Sequence, residues 1–175
     1  MIEALQAMKA ADGVRLADIG SFALSTNPRW LAVCDIKRPR TGLEVKFSYN
    51  WLAGMTLRGD DTGDDRLFTD SIAADLELAA FADRITVAGD EGLTDLQARG
   101  TITLRDGRNL TVWFDLAEPF APAALTDKLK KKSMTILGDA GTAIWDIHPR
   151  LGQLGARDIG AAMIAATAHG AATAS

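Results

Sequence analysis

Within nine residues the chain sets a guanidinium, an ammonium and a hydroxyl: Arg40, Lys46 and Ser48 in the run Arg40-Thr41-Gly42-Leu43-Glu44-Val45-Lys46-Phe47-Ser48. Cations beside a hydroxyl donor are a means of holding carboxylates, since charge and hydrogen bond act on the same oxygens. Lys37 and Arg38 extend the basic cluster toward the N-terminus. Thr41 and Glu44 have capping-box spacing, in which the threonine oxygen accepts from the Glu44 amide and the glutamate reaches back to the Thr41 amide. Thr41 is therefore expected to open a helix through Ala53. At about 100° per residue, Lys46, Tyr49, Asn50 and Ala53 share one face, and Phe47, Trp51 and Met55 another. One face packs and the other is available to a ligand.

Other reactive side chains are sparse. Cys34 is the single cysteine, which forbids an internal disulfide, and its apolar neighbours Trp30 to Val33 make it a small buried hydrophobe. His148 and His169 lack metal-ligand spacing, and His148, next to Pro149, suits a helix end or solvent. The acidic run Arg58 to Asp65 lacks the closing glutamate of a calcium loop. No GxGxxG fingerprint, P-loop or nucleophile elbow occurs, and no residue is assigned as catalytic base. No metal site is expected.

The positioning elements follow from local pattern. Ile2, Leu5 and Met8 mark a helix closed by Asp12-Gly13. A strand around Ile19 to Leu24 follows, then a brief helix through Val33 with Asn27 as cap and Pro28 as first residue. One helix is expected from Ser71 to Asp83, burying Ile72, Leu76, Ala79 and Ala80. Strands are expected at Arg84 to Ala88, Leu96 to Leu104 and Leu110 to Asp115, the last two joined as a hairpin by Asp106-Gly107. Pro119 and Pro122 end the sheet. A helix capped by Thr126 or Asp127 then runs to Leu137, its Lys128, Lys130, Lys131 and Lys132 forming a solvated basic face. Helices at Ala140 to Ile147 and Asp158 to Ala168 complete the chain, with Gly170 to Ser175 frayed. The class is α+β, a small antiparallel sheet packed against helices in a two-layer sandwich.

At 175 residues with 47% hydrophobic and 24% charged, the chain is large enough for one real core. A net charge of -4 and a pI near 5.1 argue against nucleic acid as partner. No run approaches the roughly 18 apolar residues of a membrane span, and the N-terminus does not read as a signal peptide, so a cytoplasmic location is expected.

These features come together in a resemblance. Three blocks carry it: Pro39 to Ser48, the acidic stretch and helix leading to Ile85-Thr86-Val87, and the Thr101 to Phe114 hairpin around Asp106-Gly107. In these, from Ile2 to about Leu151, the chain resembles the C-terminal lid domain of the MmgE/PrpD family. That family includes 2-methylcitrate dehydratase, cis-aconitate decarboxylase and iminodisuccinate epimerase. The resemblance implies a lid domain over residues 1–150 and an Ala-rich helical tail over 151–175. It implies cofactor-independent lyase or isomerase chemistry on small di- or tricarboxylates, with most catalytic side chains on an all-helical domain, supplied in trans or lost. The chain alone is then expected to be inactive.

The same resemblance assigns substrate contacts to Arg40, Lys46, Ser48 and Trp51. Arg40 forks onto a carboxylate, Lys46 acts as a point charge and Ser48 donates a hydrogen bond. Trp51 stands where many members carry a tyrosine, and it offers an indole donor but no phenolic acid. A surface normally covered by the helical domain is expected to drive homo-oligomer formation. The alternative is a stand-alone carboxylate-binding or oligomerisation module without catalysis.

Overall fold

Four N-caps, Thr41, Ser48, Thr69 and Asp75, and two glycines, Gly13 and Gly59, set boundaries of the helices around the core. The computed structural model describes the backbone of residues 1–172, with the side chains of all but Ala143 and residues 166–172. In chain order it contains α1 (Ile2–Asp12), β1 (Ile19–Thr26), α2 (Leu31–Cys34), α3 (Gly42–Val45), α4 (Tyr49–Arg58), α5 (Asp70–Ala73), α6 (Leu76–Ala82), β2 (Ile85–Gly89), β3 (Gln97–Leu104), β4 (Asn109–Asp115), α7 (Pro122–Leu137), α8 (Asp139–Ile147) and α9 (Ala156–Ala172). Short 3-10 turns link several of them. These divide into two compact units, residues 1–62 with 66–119 and residues 63–65 with 120–175.

In the first unit the strands lie in the order β2-β1-β3-β4. β1 with β3 and β3 with β4 are antiparallel, as the hairpin signal requires, but β2 runs parallel to β1. The fold is thus α+β with a mixed sheet, where an antiparallel one was expected. Strand direction at β2 is set by the long excursion through α2 to α6, which carries no local sequence signal. At the β3–β4 turn, Gly107 adopts φ 89° and its N–H donates to the Leu104 carbonyl, the three-residue loop that favours glycine.

One sheet face is apolar and covered. Phe22, Leu24, Ile102, Leu104 and Val112 pack with Leu5 and Met8 of α1, Ala53 and Leu57 of α4 and Phe81 of α6. The other face presents Ser21, Ala23, Thr101 and Thr111 to solvent. A second cluster joins Val45, Trp51, Met55, Ala73, Leu78 and Ala82. α4 feeds both clusters and is buried on most sides, its buried polar residues Asn50 and Thr56 donating to the Ala82 and Leu52 carbonyls.

Two expected helices are broken. The helix from Thr41 is a single turn, α3, and α4 begins afresh at Ser48, whose hydroxyl accepts from the Trp51 amide at 3.3 Å. Likewise Ser71 to Asp83 is divided because Asp75 caps α6, accepting from the amides of Glu77 (2.9 Å) and Leu78 (3.1 Å). Each internal cap resets the helical phase. Leu78, Phe81 and Ala82 are consequently buried, while Leu76 is 84% exposed and Ala80 faces solvent.

The second unit is helical. α7 starts at Pro122, ahead of the expected caps Thr126 and Asp127, because Pro122 fits the first helical position, where its missing N–H is no loss. α7 packs on α8 and α8 on α9. Lys128, Lys130, Lys131 and Lys132 are exposed, as a solvated face requires. α9 continues to Ala172; the remainder of the expected fraying, residues 173–175, lies outside the described residues. Among the described residues no helix is long and apolar enough to cross a membrane.

The first carboxylate of the acidic run after α4, Asp60, is held by the guanidinium that ends that helix. Arg58 donates to Asp60 through Nε (3.0 Å) and Nη2 (2.6 Å), and to Asp75 through Nη1 (2.7 Å). The hydrogen bond to Asp60 holds Arg58 above its usual pKa; burial opposes this and Asp75 adds to it. Burial pushes the Asp75 carboxyl up, but Arg58 and the Leu78 and Glu77 amides outweigh it and keep it below the usual value. A carboxylate depressed in the folded state contributes stability that is complete above its unfolded pKa of about 4 and is lost as pH falls through the folded value. Asp75→Asn retains a capping side chain but not the charge. We expect it to lower stability at neutral pH by about 1–2 kcal/mol, with a shallower acid dependence than the parent, read from urea midpoints across pH. An unchanged acid slope would contradict this role.

Candidate functional site

The basic cluster lies on a closed loop. Asp35 and Ser48 pair as an isolated antiparallel bridge, and the Ile36 N–H donates to the Phe47 carbonyl at 3.1 Å, so residues 36–47 leave and rejoin the fold at one point. The loop is also pinned at its tip. A Cβ on Gly42 would stand 2.0 Å from the Phe68 carbonyl oxygen, and the Gly42 N–H donates to Asp70 Oδ1 at 2.8 Å. Only glycine allows that approach. Thr41 caps α3 as expected, accepting from Glu44 N–H at 3.2 Å. The Glu44 carboxylate, however, accepts from the Arg40 amide at 2.6 Å, so the reciprocal contact closes one residue earlier than the capping-box pattern places it. Val45 is fully buried beneath this turn.

This geometry separates the four expected substrate contacts into two pairs. Arg40 and Lys46 are exposed; Ser48 and Trp51 are 0% and 1% exposed. Ser48 caps α4, and Trp51 donates its indole N–H to the Ile72 carbonyl at 3.0 Å. Their polar atoms are therefore occupied within the fold. The four neighbouring cations also differ in their partners. Lys37 pairs with Asp35 at 2.5 Å, and Arg38 with Asp83 and the Ala79 carbonyl. Lys46 Nζ sits 5.0 Å over the Phe68 ring, and among the described residues neither it nor the Arg40 guanidinium has a carboxylate partner. Cation and ring attract without neutralising the charge.

A second feature begins at the residue after Ser48. Tyr49 lines a largely apolar cavity of about 350 Å³ with Thr26, Trp30, Cys34, Leu52 and Phe114. The Tyr49 hydroxyl lies 3.4 Å from Thr26 Oγ1. Burial raises the Tyr49 pKa; the Thr26 contact works against it and nearby Cys34 and Asp35 add to it. Tyr49 is thus a neutral phenol at physiological pH. Cys34 is only partly buried, which corrects the expectation of a buried hydrophobe, and burial pushes its thiol up, away from thiolate character. Helical spacing places Tyr49 on one face with Lys46 but gives it no site role, and the Ser48 cap that sets its position is not signalled by that spacing. The cavity lining does not include Arg40, Lys46, Ser48 or Trp51. His148 is exposed and stacks on Trp145, 5.2 Å between ring centres. Among the described residues no group of His, Cys, Asp and Glu could hold a metal ion.

In comparison with known proteins, a family model described as the MmgE/PrpD C-terminal domain matches residues 1–145. No curated protein matches the chain. The pinned loop gives a direct test: Gly42→Ala must displace main chain at Phe68 and should cost on the order of 1–3 kcal/mol. Thermal denaturation measures it, and a variant as stable as the parent would mean that the loop tip is not seated on residues 68–70.

Proposed function

We propose, from the premise that this chain belongs to the MmgE/PrpD family through its C-terminal domain, that it is the lid over a carboxylate site. The proposed chemistry is cofactor-independent lysis or isomerisation of small di- or tricarboxylates. An all-helical domain supplies the proton-transfer groups, either within a longer protein or from another chain. The lid takes in residues 1–150 and the tail 151–175, in a cytoplasmic homo-oligomer. Removing a proton beside a carboxylate builds negative charge on an already anionic substrate, and fixed cations lower that barrier because they need not reorganise.

The observation that carries this reading is that, among the described residues, Arg40 and Lys46 have no carboxylate partner, while their neighbours Lys37 and Arg38 are ion-paired. Two exposed cations on an anchored backbone suit a dianion, Lys46 being further seated over the Phe68 ring. Arg40 engages one carboxylate by its planar fork, and Lys46 supplies a second charge. Ser48 and Trp51, fully buried, serve the substrate through the loop they anchor, and reach it directly only if the loop opens. Tyr49 is a further neutral donor beside this segment. The same two cations also support a second reading, a stand-alone module that binds carboxylates without chemistry, since attraction of an anion needs no second domain.

Joined to an all-helical domain of the family, the chain should gain activity on a panel of di- and tricarboxylates. Arg40→Gln should then lower kcat/KM by about 10–100-fold, the equivalent of losing a charge-assisted hydrogen bond. Lys46→Gln should act in the same direction. Calorimetric titration of the isolated chain separates the two readings: weak or no binding supports the lid, and tight binding supports the module. Full activity in both variants would refute the assignment.

A further inference from the structure

The cavity at Tyr49 has a chemistry of its own, different from that of the cationic loop. Its walls are apolar and aromatic, Trp30, Leu52 and Phe114 among them, and its volume of about 350 Å³ lies at the small end of ligand cavities, roughly 300–1,000 Å³. All of it belongs to the first unit. An apolar cavity of roughly 150 Å³ holds one benzene ring, so this one admits a molecule of one or two rings.

Two hydroxyl donors meet in this lining. Thr26 Oγ1 and Tyr49 Oη lie 3.4 Å apart, long against the roughly 2.7–2.8 Å of a well-formed O–H···O bond. Thr26 is 3% exposed, and burial keeps the Tyr49 phenol protonated. Hydroxyls at that separation can both donate to one acceptor oxygen at ordinary hydrogen-bond length from each. Charge narrows the choice further. Among the described residues the lining has no lysine, arginine or histidine side chain but does include Glu3 and Asp95, so a carboxylate meets no basic side chain there. A cation is served little better: Asp95 already binds Arg29 at 2.7 Å, and the Arg29 guanidinium lies 5.0 Å over the Trp30 ring. A neutral molecule fits.

We propose that this cavity binds a small uncharged aromatic molecule carrying one carbonyl oxygen, which accepts hydrogen bonds from Tyr49 and Thr26. The place of the cavity gives that binding a consequence. Cys34 and Tyr49, both in the lining, directly flank the bridged pair Asp35 and Ser48, where the cationic loop leaves and rejoins the fold. An occupant therefore touches both ends of the loop and holds its base closed. The site stands apart from the carboxylate reading, since neither Arg40 nor Lys46 lines it and its charge disfavours an anion.

Acetophenone, its oxygen-free analogue α-methylstyrene and the anion benzoate are the probes, titrated into the isotopically labelled 175-residue chain and followed by amide chemical shifts. Acetophenone is expected to shift the Thr26, Cys34 and Tyr49 amides saturably, α-methylstyrene to bind more weakly and benzoate not to bind. Tyr49→Phe should weaken acetophenone by about three- to tenfold, the loss of one hydrogen bond, and leave α-methylstyrene unchanged, a split that general loosening of the fold would not produce. Cys34→Phe, which fills the cavity from a partly buried position, should abolish binding of both, with circular dichroism to check that each variant folds. Because opening the loop base dismantles the cavity, exchange of the Ile36 amide should slow in proportion to the excess of acetophenone over its dissociation constant. No saturable shift up to the solubility limit, equal affinity for acetophenone and α-methylstyrene, or tighter binding of benzoate would overturn the proposal. An Ile36 amide that exchanges no more slowly at saturation would overturn the link to the loop.

Discussion

Gly42 lies so close to the main chain of Phe68 and Thr69 that no side chain fits, and the cationic loop hangs on that contact. The loop has little core of its own: of residues 36–47, Pro39, Gly42 and Val45 are buried and most of the rest face solvent. Without a fixed tip, a segment of this length would sample many conformations, at a cost of roughly 1–2 kcal/mol per residue to order. The Gly42 N–H on Asp70, the Asp35–Ser48 bridge and the buried Val45 side chain offset that cost at three separated points. Arg40 and Lys46 are held on either side of the pinned residue.

The anchoring continues inward through α4. Ser48 ends the loop and starts the helix in one residue, and the Trp51 indole ties the first turn of that helix to the carbonyl of Ile72 in α5. α5 in turn begins beside the Phe68 and Asp70 groups that hold Gly42. Loop, α4 and α5 thus form a circuit of contacts in which each member fixes the next. At the far end of α4, Arg58 binds the cap of α6 through Asp75. In the MmgE/PrpD family, to which the chain belongs, such a construction suits the lid role proposed above, which requires the backbone that bears the charges to stay in place.

Much of this was legible in the residues. Gly13 after α1, Asn27-Pro28 before the 3-10 turn and Asp106-Gly107 between β3 and β4 each stand where expected, because each is a local stereochemical requirement. The misreadings have a common cause. Ser48 and Asp75 are caps set inside runs whose apolar spacing suits a continuous helix, and periodicity does not show a break that keeps the pattern apolar. The burial of Ser48 and Trp51 followed from the same break, which turned them inward as the phase was reset. The parallel pairing of β2 depends on residues far apart in the chain, and no local signal encodes it. As for the loop, its composition revealed the cations but not which of them would find carboxylate partners.

Native-state hydrogen exchange of the loop amides measures the central constraint most directly. If the loop is clamped as described, the Gly42 and Ile36 amides, bonded to Asp70 and Phe47, exchange slowly, at rates approaching those of the α4 core. Exchange of both at the rate of a free loop would show that the cations are not held in place, and the account of the site would fail with them.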